Sequence, residues 1–212
     1  PLRLPGGEAA IREPWRIAQA ALHDLGHEPD PASCPWLPHH AQAAEMVAQM
    51  LEKNLNCPAT TSCGRLFDAV SALIGVKLAI TYEGQAAIAL EHAQQCGQAW
   101  AETSRYPCPV LPESTDAPAD RPALLDTHAL IAAALADPRA GVDPGRISRR
   151  FHLGLAHGLA DFSLHLAEQT GVVSIQHGMI VKDQARFFVE SDFHSIRIDN
   201  PLFVIANEVE PV

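Results

Sequence analysis

The chain has 212 residues, 47% hydrophobic and 19% charged, a composition that supports a packed core and argues against disorder. Its formal net charge is −10 and no basic stripe runs through it, so nucleic acid is not an expected partner. No apolar run approaches the roughly 20 residues that cross a bilayer, so no membrane role is expected.

Pro1 to Pro5 contains no secretory apolar region and the chain does not open on Met, so it reads as a piece or cut product of a longer protein. Pro5-Gly6-Gly7 reads as a turn. Pro14 suits the first turn of a helix, where its missing N–H has no partner in any case. Trp15, Ala18, Leu22 and Leu25 then fall on one face, and Gly26 ends the helix. A proline-rich loop follows from Pro29 to Pro38. The next helix is predicted from about His40 to Leu55, with Ala44, Val47 and Leu51 inward.

The central helix is capped by Thr61 or Ser62. Its buried stripe is Leu66, Phe67, Val70, Leu73 and Ile74, and Gly75 stops it. Tyr82 to Gly84 forms a turn, and Gln85 to roughly Glu102 is helical. Tyr106 to Pro122, rich in proline, reads as a surface loop or a short edge hairpin. Leu124 to Ala136 is helical. Pro144 opens the longest helix, in which Ile147, Phe151, Leu155, Leu159, Phe162 and Leu166 recur every three to four residues, and Gly171 closes it. Arg146, Arg149 and Arg150 read as a solvated helix start. Strands are expected at Val172–Ile175, Arg186–Val189, Ser195–Ile198 and Leu202–Ala206. The fold class is therefore α/β, predominantly helical with a small C-terminal sheet.

Asp68 sits beside the apolar stripe of the central helix. A carboxylate there must be paired, hydrated or bound to a ligand, because burying it alone is costly. Glu83 and Gly84 follow a connection that can return to the same helix end, and two carboxylates beside a Gly suit the vicinal hydroxyls of a sugar or nucleotide. The plainer alternative pairs Asp68 with Arg65 one turn earlier. Five cysteines (Cys34, Cys57, Cys63, Cys96 and Cys108) include no Cys-x-x-Cys, which argues against a zinc ribbon or disulfide scaffold and fits a reducing cytoplasm. Cys63, near a helix N-terminus, is either a small buried thiol or a nucleophile of lowered pKa. His23 and His27 have helical metal-pair spacing, but Gly26 falls between them. His157, Asp161 and His165 form a cleaner row, read as a solvated face with His–Asp contacts, a metal row being the alternative. There is no Gly-x-Ser-x-Gly elbow, Walker loop or dinucleotide fingerprint.

Three segments carry a resemblance. Pro5-Gly6-Gly7-Glu8-Ala9-Ala10-Ile11-Arg12-Glu13-Pro14-Trp15-Arg16, Thr61-Ser62-Cys63-Gly64-Arg65-Leu66-Phe67-Asp68-Ala69-Val70 and Tyr82-Glu83-Gly84-Gln85-Ala86-Ala87 are similar, in order and spacing, to signatures of the HypF carbamoyltransferases of nickel–iron hydrogenase maturation. Ile147 to Val173, with Arg150-Phe151-His152, resembles the helix that follows in that family.

The resemblance implies the second lobe of an actin-like (ASKHA) Kae1-type domain, one partial domain over 1–212 whose last part, 174–212, is a diverged sheet. It implies ATP and a carbamoyl-adenylate as ligands. Asp68, Glu83, Gly84 and Gly64 would form the nucleotide site, the first three holding the ribose. It also implies a HypE-like partner whose C-terminal cysteine receives the carbamoyl group. The family's metal-binding histidines belong to the first lobe, so no metal is expected on this chain.

Departures begin at Ser174. Only Gly178 can be placed in the family's glycine-rich segment, and Asp199-Asn200 is reversed relative to the family's later Asn-Asp-Gly-Gly. The isolated chain is therefore expected to be an incomplete enzyme. The alternative is a diverged, non-catalytic module that binds a nucleotide or a partner.

Overall fold

The computed structural model describes residues 1–31, 34–95, 101–111 and 123–170, with side chains as far as 166, and the backbones of 190–191 and 194–195. Its elements in chain order are β1 (Leu2–Arg3), α1 (Glu8–Arg12), α2 (Trp15–Asp24), α3 (Leu37–Glu52), β2 (Ala59–Thr60), α4 (Cys63–Leu73), α5 (Gln85–Gln94), β3 (Val110–Leu111), β4 (Leu124–Leu125), α6 (Thr127–Arg139), α7 (Pro144–Thr170), β5 (Glu190–Ser191) and β6 (His194–Ser195). The strands form three two-residue antiparallel pairs, β1 with β2, β3 with β4 and β5 with β6. The predominantly helical class with small sheets is as the sequence implies. Of the expected C-terminal strands, only Ser195 falls within a described one. The rest, with Gly171, lie outside the described residues. Among the described residues, no helix is long and apolar enough to cross a membrane.

Helix α4 is the centre of the fold and packs on α2, α5 and α6. The predicted stripe is buried, and so is everything between its members: Arg65 to Leu73 is buried without interruption. A helix enclosed on every side must bury polar positions too, here Arg65, Asp68 and Ser71. Its N-cap is Ser62, as expected, but the hydroxyl makes no capping bond.

Helix α2 begins after Pro14 and closes on Gly26 at φ +72°, a left-handed conformation suited to glycine. Helix α3 starts at Leu37, three residues earlier than predicted, with a break in its φ/ψ at His40. The His40 ring stacks on Trp15 at 5.1 Å, and that contact holds the break. Ala44, Val47 and Leu51 point inward as predicted.

Helix α5 ends at Gln94 and not near Glu102. Glu102 instead enters a strap over α7. Its Oε2 accepts hydrogen bonds from Arg146 and Arg150. Arg150 also donates to Asp137 at 2.7 Å, and the Tyr106 hydroxyl donates to the same carboxylate. The Tyr106 N–H reaches the carbonyl of Arg150 at 3.2 Å. The expected solvated arginine cluster is thus corrected. Arg149 is buried, the Arg150 side chain is 19% exposed, and only Arg146 is half open, because the returning strap covers this turn of the helix.

The strap lies close because α7 presents glycines to it. A Cβ at Gly154 would stand 2.5 Å from the Tyr106 carbonyl oxygen, and one at Gly158 would stand 2.5 Å from that of Cys108. The strap then continues into β3, which pairs with β4, the short hairpin alternative of the sequence reading. Leu124 and Leu125 are strand, not helix as predicted. Asp126 resets the chain by accepting from the N–H of Ala129 at 3.0 Å, so α6 begins at Thr127.

Candidate functional site

The route from α4 to α5 brings the predicted acidic groups together. After Gly75, at φ +75°, the chain runs back beside the α1–α2 junction, where the N–H of Ile80 bonds the carbonyl of Arg12 at 2.9 Å. The Tyr82-Glu83-Gly84 turn therefore arrives at the amino end of α4. Gly84 caps α5 in the left-handed region, φ +78°, which only glycine adopts without strain. Gln85 fastens the turn by accepting the N–H of Thr81 at 2.8 Å through its Oε1.

Arg65 stands between the two carboxylates. Its Nη1 is 2.8 Å from Asp68 Oδ2 and its Nη2 is 3.8 Å from Glu83 Oε1. The plainer reading of Asp68 as Arg65's ion partner and the proximity of Asp68 and Glu83 thus coexist. Arg65 spans both, a contact that spacing along one helix could not reveal. Glu83 keeps 80% of its side chain exposed, whereas Asp68 keeps 2%.

Although Nη1 and Oδ2 are in contact, neither is aligned for a hydrogen bond with any described group. Burial pushes the Asp68 carboxyl up, Arg65 pulls it back and Glu83 adds repulsion, leaving it at about 6. Asp68 is thus a buried carboxylate whose charge is met by the Arg65 guanidinium. Gly64 lies exposed in the first turn of α4, and a Cβ there would meet only Ser62 Oγ, at 3.6 Å.

The other candidates fare differently. Cys63 is exposed at the start of α4, and desolvation raises its thiol, the direction opposite to the lowered pKa of an activated nucleophile. His23 contacts Arg3, 2.8 Å from Nδ1, and Gly26 separates it from His27, as anticipated. His157 is partly covered on its face of α7, where Asp161 stays exposed. It is half-buried against Arg105, whose Nη1 lies 3.0 Å from its Nδ1. Burial, then Arg105, push its pKa down to about 4, against Asp161. No group of three or more His, Cys, Asp or Glu residues capable of holding a metal occurs among the described residues.

One buried group went unnoticed in the sequence. His152 is fully enclosed, edge-on to Phe67 and Phe151. Its Nδ1 lies 2.7 Å from the Ser148 carbonyl, and desolvation holds the ring neutral, with a pKa of about 4. Its place four residues after Ser148 was the available signal.

The family described as "Carbamoyltransferase, Kae1-like Domain, second subdomain" matches residues 1–178, and the chain belongs to that family. Its relatives are HypF proteins. The chain is 36% identical over 181 residues to the "Carbamoyltransferase HypF homolog" of Cupriavidus necator, covering 84% of this chain and 44% of that one. It is 46% identical over 99 residues to "Carbamoyltransferase HypF" of Rhizobium leguminosarum bv. viciae, covering 45% of this chain and 13% of the relative. Among solved structures it resembles full-length HypF in a phosphate- and nucleotide-bound form, with a TM-score of 0.66 and 25% identity over 81% of this chain and 21% of that one. The chain therefore spans less than half the length of these relatives.

Proposed function

We propose that this chain is the second lobe of a HypF-type carbamoyltransferase and supplies one wall of its nucleotide cleft. In this reading Asp68 accepts hydrogen bonds from the ribose hydroxyls of a carbamoyl-adenylate made from carbamoyl phosphate and ATP. Glu83 closes over the sugar, and Gly84 and Gly64 let the ligand approach the backbone. The carbamoyl group passes to the C-terminal cysteine of a HypE-like protein: the thiol loses its proton, the C–S bond of a thiocarbamate forms as the acyl–phosphate bond breaks, and AMP leaves, toward the cyanide ligand of a hydrogenase iron. The observation that carries this reading is the convergence of Asp68 and Glu83 at the amino end of α4, both within reach of Arg65. Family membership supports the chemistry.

The lobe's own residues bind and orient the sugar. No group of three or more metal-donor side chains occurs among the described residues. Acyl transfer needs donor and nucleophile held together with charge stabilisation, and one wall of a cleft supplies only part of that. The isolated chain is expected to show no turnover with carbamoyl phosphate, ATP and HypE; measurable transfer overturns this. The ribose assignment is tested by calorimetry with a non-hydrolysable adenylate. Asp68→Ala is expected to weaken binding about tenfold or more, the loss of a charge-assisted pair of hydrogen bonds. Equal affinity in the variant removes the assignment.

A further inference from the structure

The hydroxyl site has a cation at its centre that the ribose reading does not use. Arg65 lies in the first turn of α4, with its side chain only 10% exposed. One arm touches the buried Asp68 and the other reaches toward Glu83 on the α4–α5 connection. We propose that Arg65 is a positioning residue of this site: it keeps Asp68 an ionised acceptor and draws Glu83 over the amino end of α4, so that both carboxylates face one pair of hydroxyls. This rests on the hydroxyl-binding reading and names the group on which that reading depends.

The reasoning is electrostatic. Asp68 is buried, with 2% of its side chain exposed, and a buried carboxyl without a cation takes up a proton. The protonated group turns one oxygen into a donor and loses acceptor capacity for a diol. Few charges compete for this role. On α2, Arg16 is committed to Glu13 and Asp24 to Arg3. On α6, Asp137 is held by Arg150 and Tyr106. On α7, His152 is neutral and bound to Ser148. On α5, Glu91 and His92 belong to later turns than the Gly84 end. The charges that act on Asp68 are therefore Arg65, which favours ionisation, and Glu83, which opposes it. A guanidinium suits a position between two carboxylates because its planar fork presents donors in two directions; an ammonium is a single point charge.

The test uses the full chain, adenosine 5′-(methyl phosphate) as probe, a nucleotide whose phosphate diester has no second ionisation in the range followed, and two variants, Arg65→Met and Arg65→Lys. Affinity is followed by calorimetry from pH 5 to pH 9. The Asp68 carboxyl is titrated by carbon-13 NMR without nucleotide. In the parent chain both profiles are expected to turn over near pH 6. Arg65→Met is expected to move both midpoints up by about one pH unit or more and to weaken binding about tenfold at pH 7. Arg65→Lys is expected to restore the Asp68 midpoint but only part of the affinity, because it cannot hold Glu83 as well. A uniform loss of affinity with unmoved midpoints marks a merely structural arginine and overturns the inference, as does an unmoved Asp68 titration in Arg65→Met. Absence of nucleotide binding by the parent chain, with an Asp68 titration that still responds to Arg65, overturns the hydroxyl reading instead, and with it the ligand half of this inference.

Discussion

Glu102 has a side chain only 7% exposed and accepts from two guanidinium groups and from the N–H of Ser104. Burial alone would push its carboxyl up, but these donors outweigh it and hold it at about 2. Its folded pKa lies below the unfolded value of about 4.5, so its contribution is fully present above pH 4.5 and is lost as pH falls toward 2. Breaking this pairing leaves Arg150 short of a partner. Glu102→Gln is expected to lower stability by about 2–4 kcal/mol at pH 7 and to flatten the acid limb of a urea-denaturation series. A variant as stable as the parent would remove the strap's anchor from the account. His152 also titrates on acidification, but in a higher window: its folded pKa is depressed to about 4 from 6.5, so stability present above 6.5 falls as pH drops toward 4. Asp68 has the opposite sign. Its folded pKa is raised to about 6 from 3.8, so its contribution is complete below 3.8 and lost as pH rises through 6. At neutral pH its ionised form therefore costs stability.

At the scale of elements, the apolar period was a good guide to which helices exist and a poor one to where they stop. Ala44, Val47 and Leu51 in α3, and the onset of α7 at Pro144, follow directly from spacing and proline placement. The end of α5 and the start of α6 were decided by partners distant in sequence or by one local cap: Arg146 and Arg150 drawing on Glu102, β3 pairing with Leu124–Leu125, and Asp126 restarting the helix. Gly154 and Gly158 form the groove that admits the strap. Gly158→Ala is expected to cost about 1–3 kcal/mol in urea denaturation, because the new methyl meets a backbone carbonyl that cannot swing away. Gly64→Ala, with only Ser62 Oγ nearby, is expected to leave stability unchanged or slightly higher. If both variants behaved alike, the close approach of strap and helix would be wrong.

At the scale of the whole molecule, one contiguous apolar core runs from Leu2 to Leu155 and takes in every helix from α1 to α7. Trp15 and Trp36 are fully buried within it. A single core predicts a single transition, so tryptophan fluorescence and far-ultraviolet circular dichroism are expected to give coincident unfolding curves. Separated midpoints would show that α6 and α7 unfold independently of α2 and α4. A lobe that carries its own core is consistent with a chain spanning 44% of a curated relative while its turn at Asp68 and Glu83 remains organised.

The sequence by itself determined the helical class, the inward faces, the glycine stops at Gly26 and Gly75, the family signatures, and Asp68 and Glu83 as the acidic pair to examine. These are local properties, written in periodicity, turn chemistry and short motifs. Only the tertiary structure decided that Arg65 reaches both carboxylates, that Arg149 is buried and Arg150 held between Glu102 and Asp137, and that Arg105 comes to rest against His157. Each of these depends on where a distant segment returns, and a period of 3.6 residues says which face a side chain occupies without saying what will cover it.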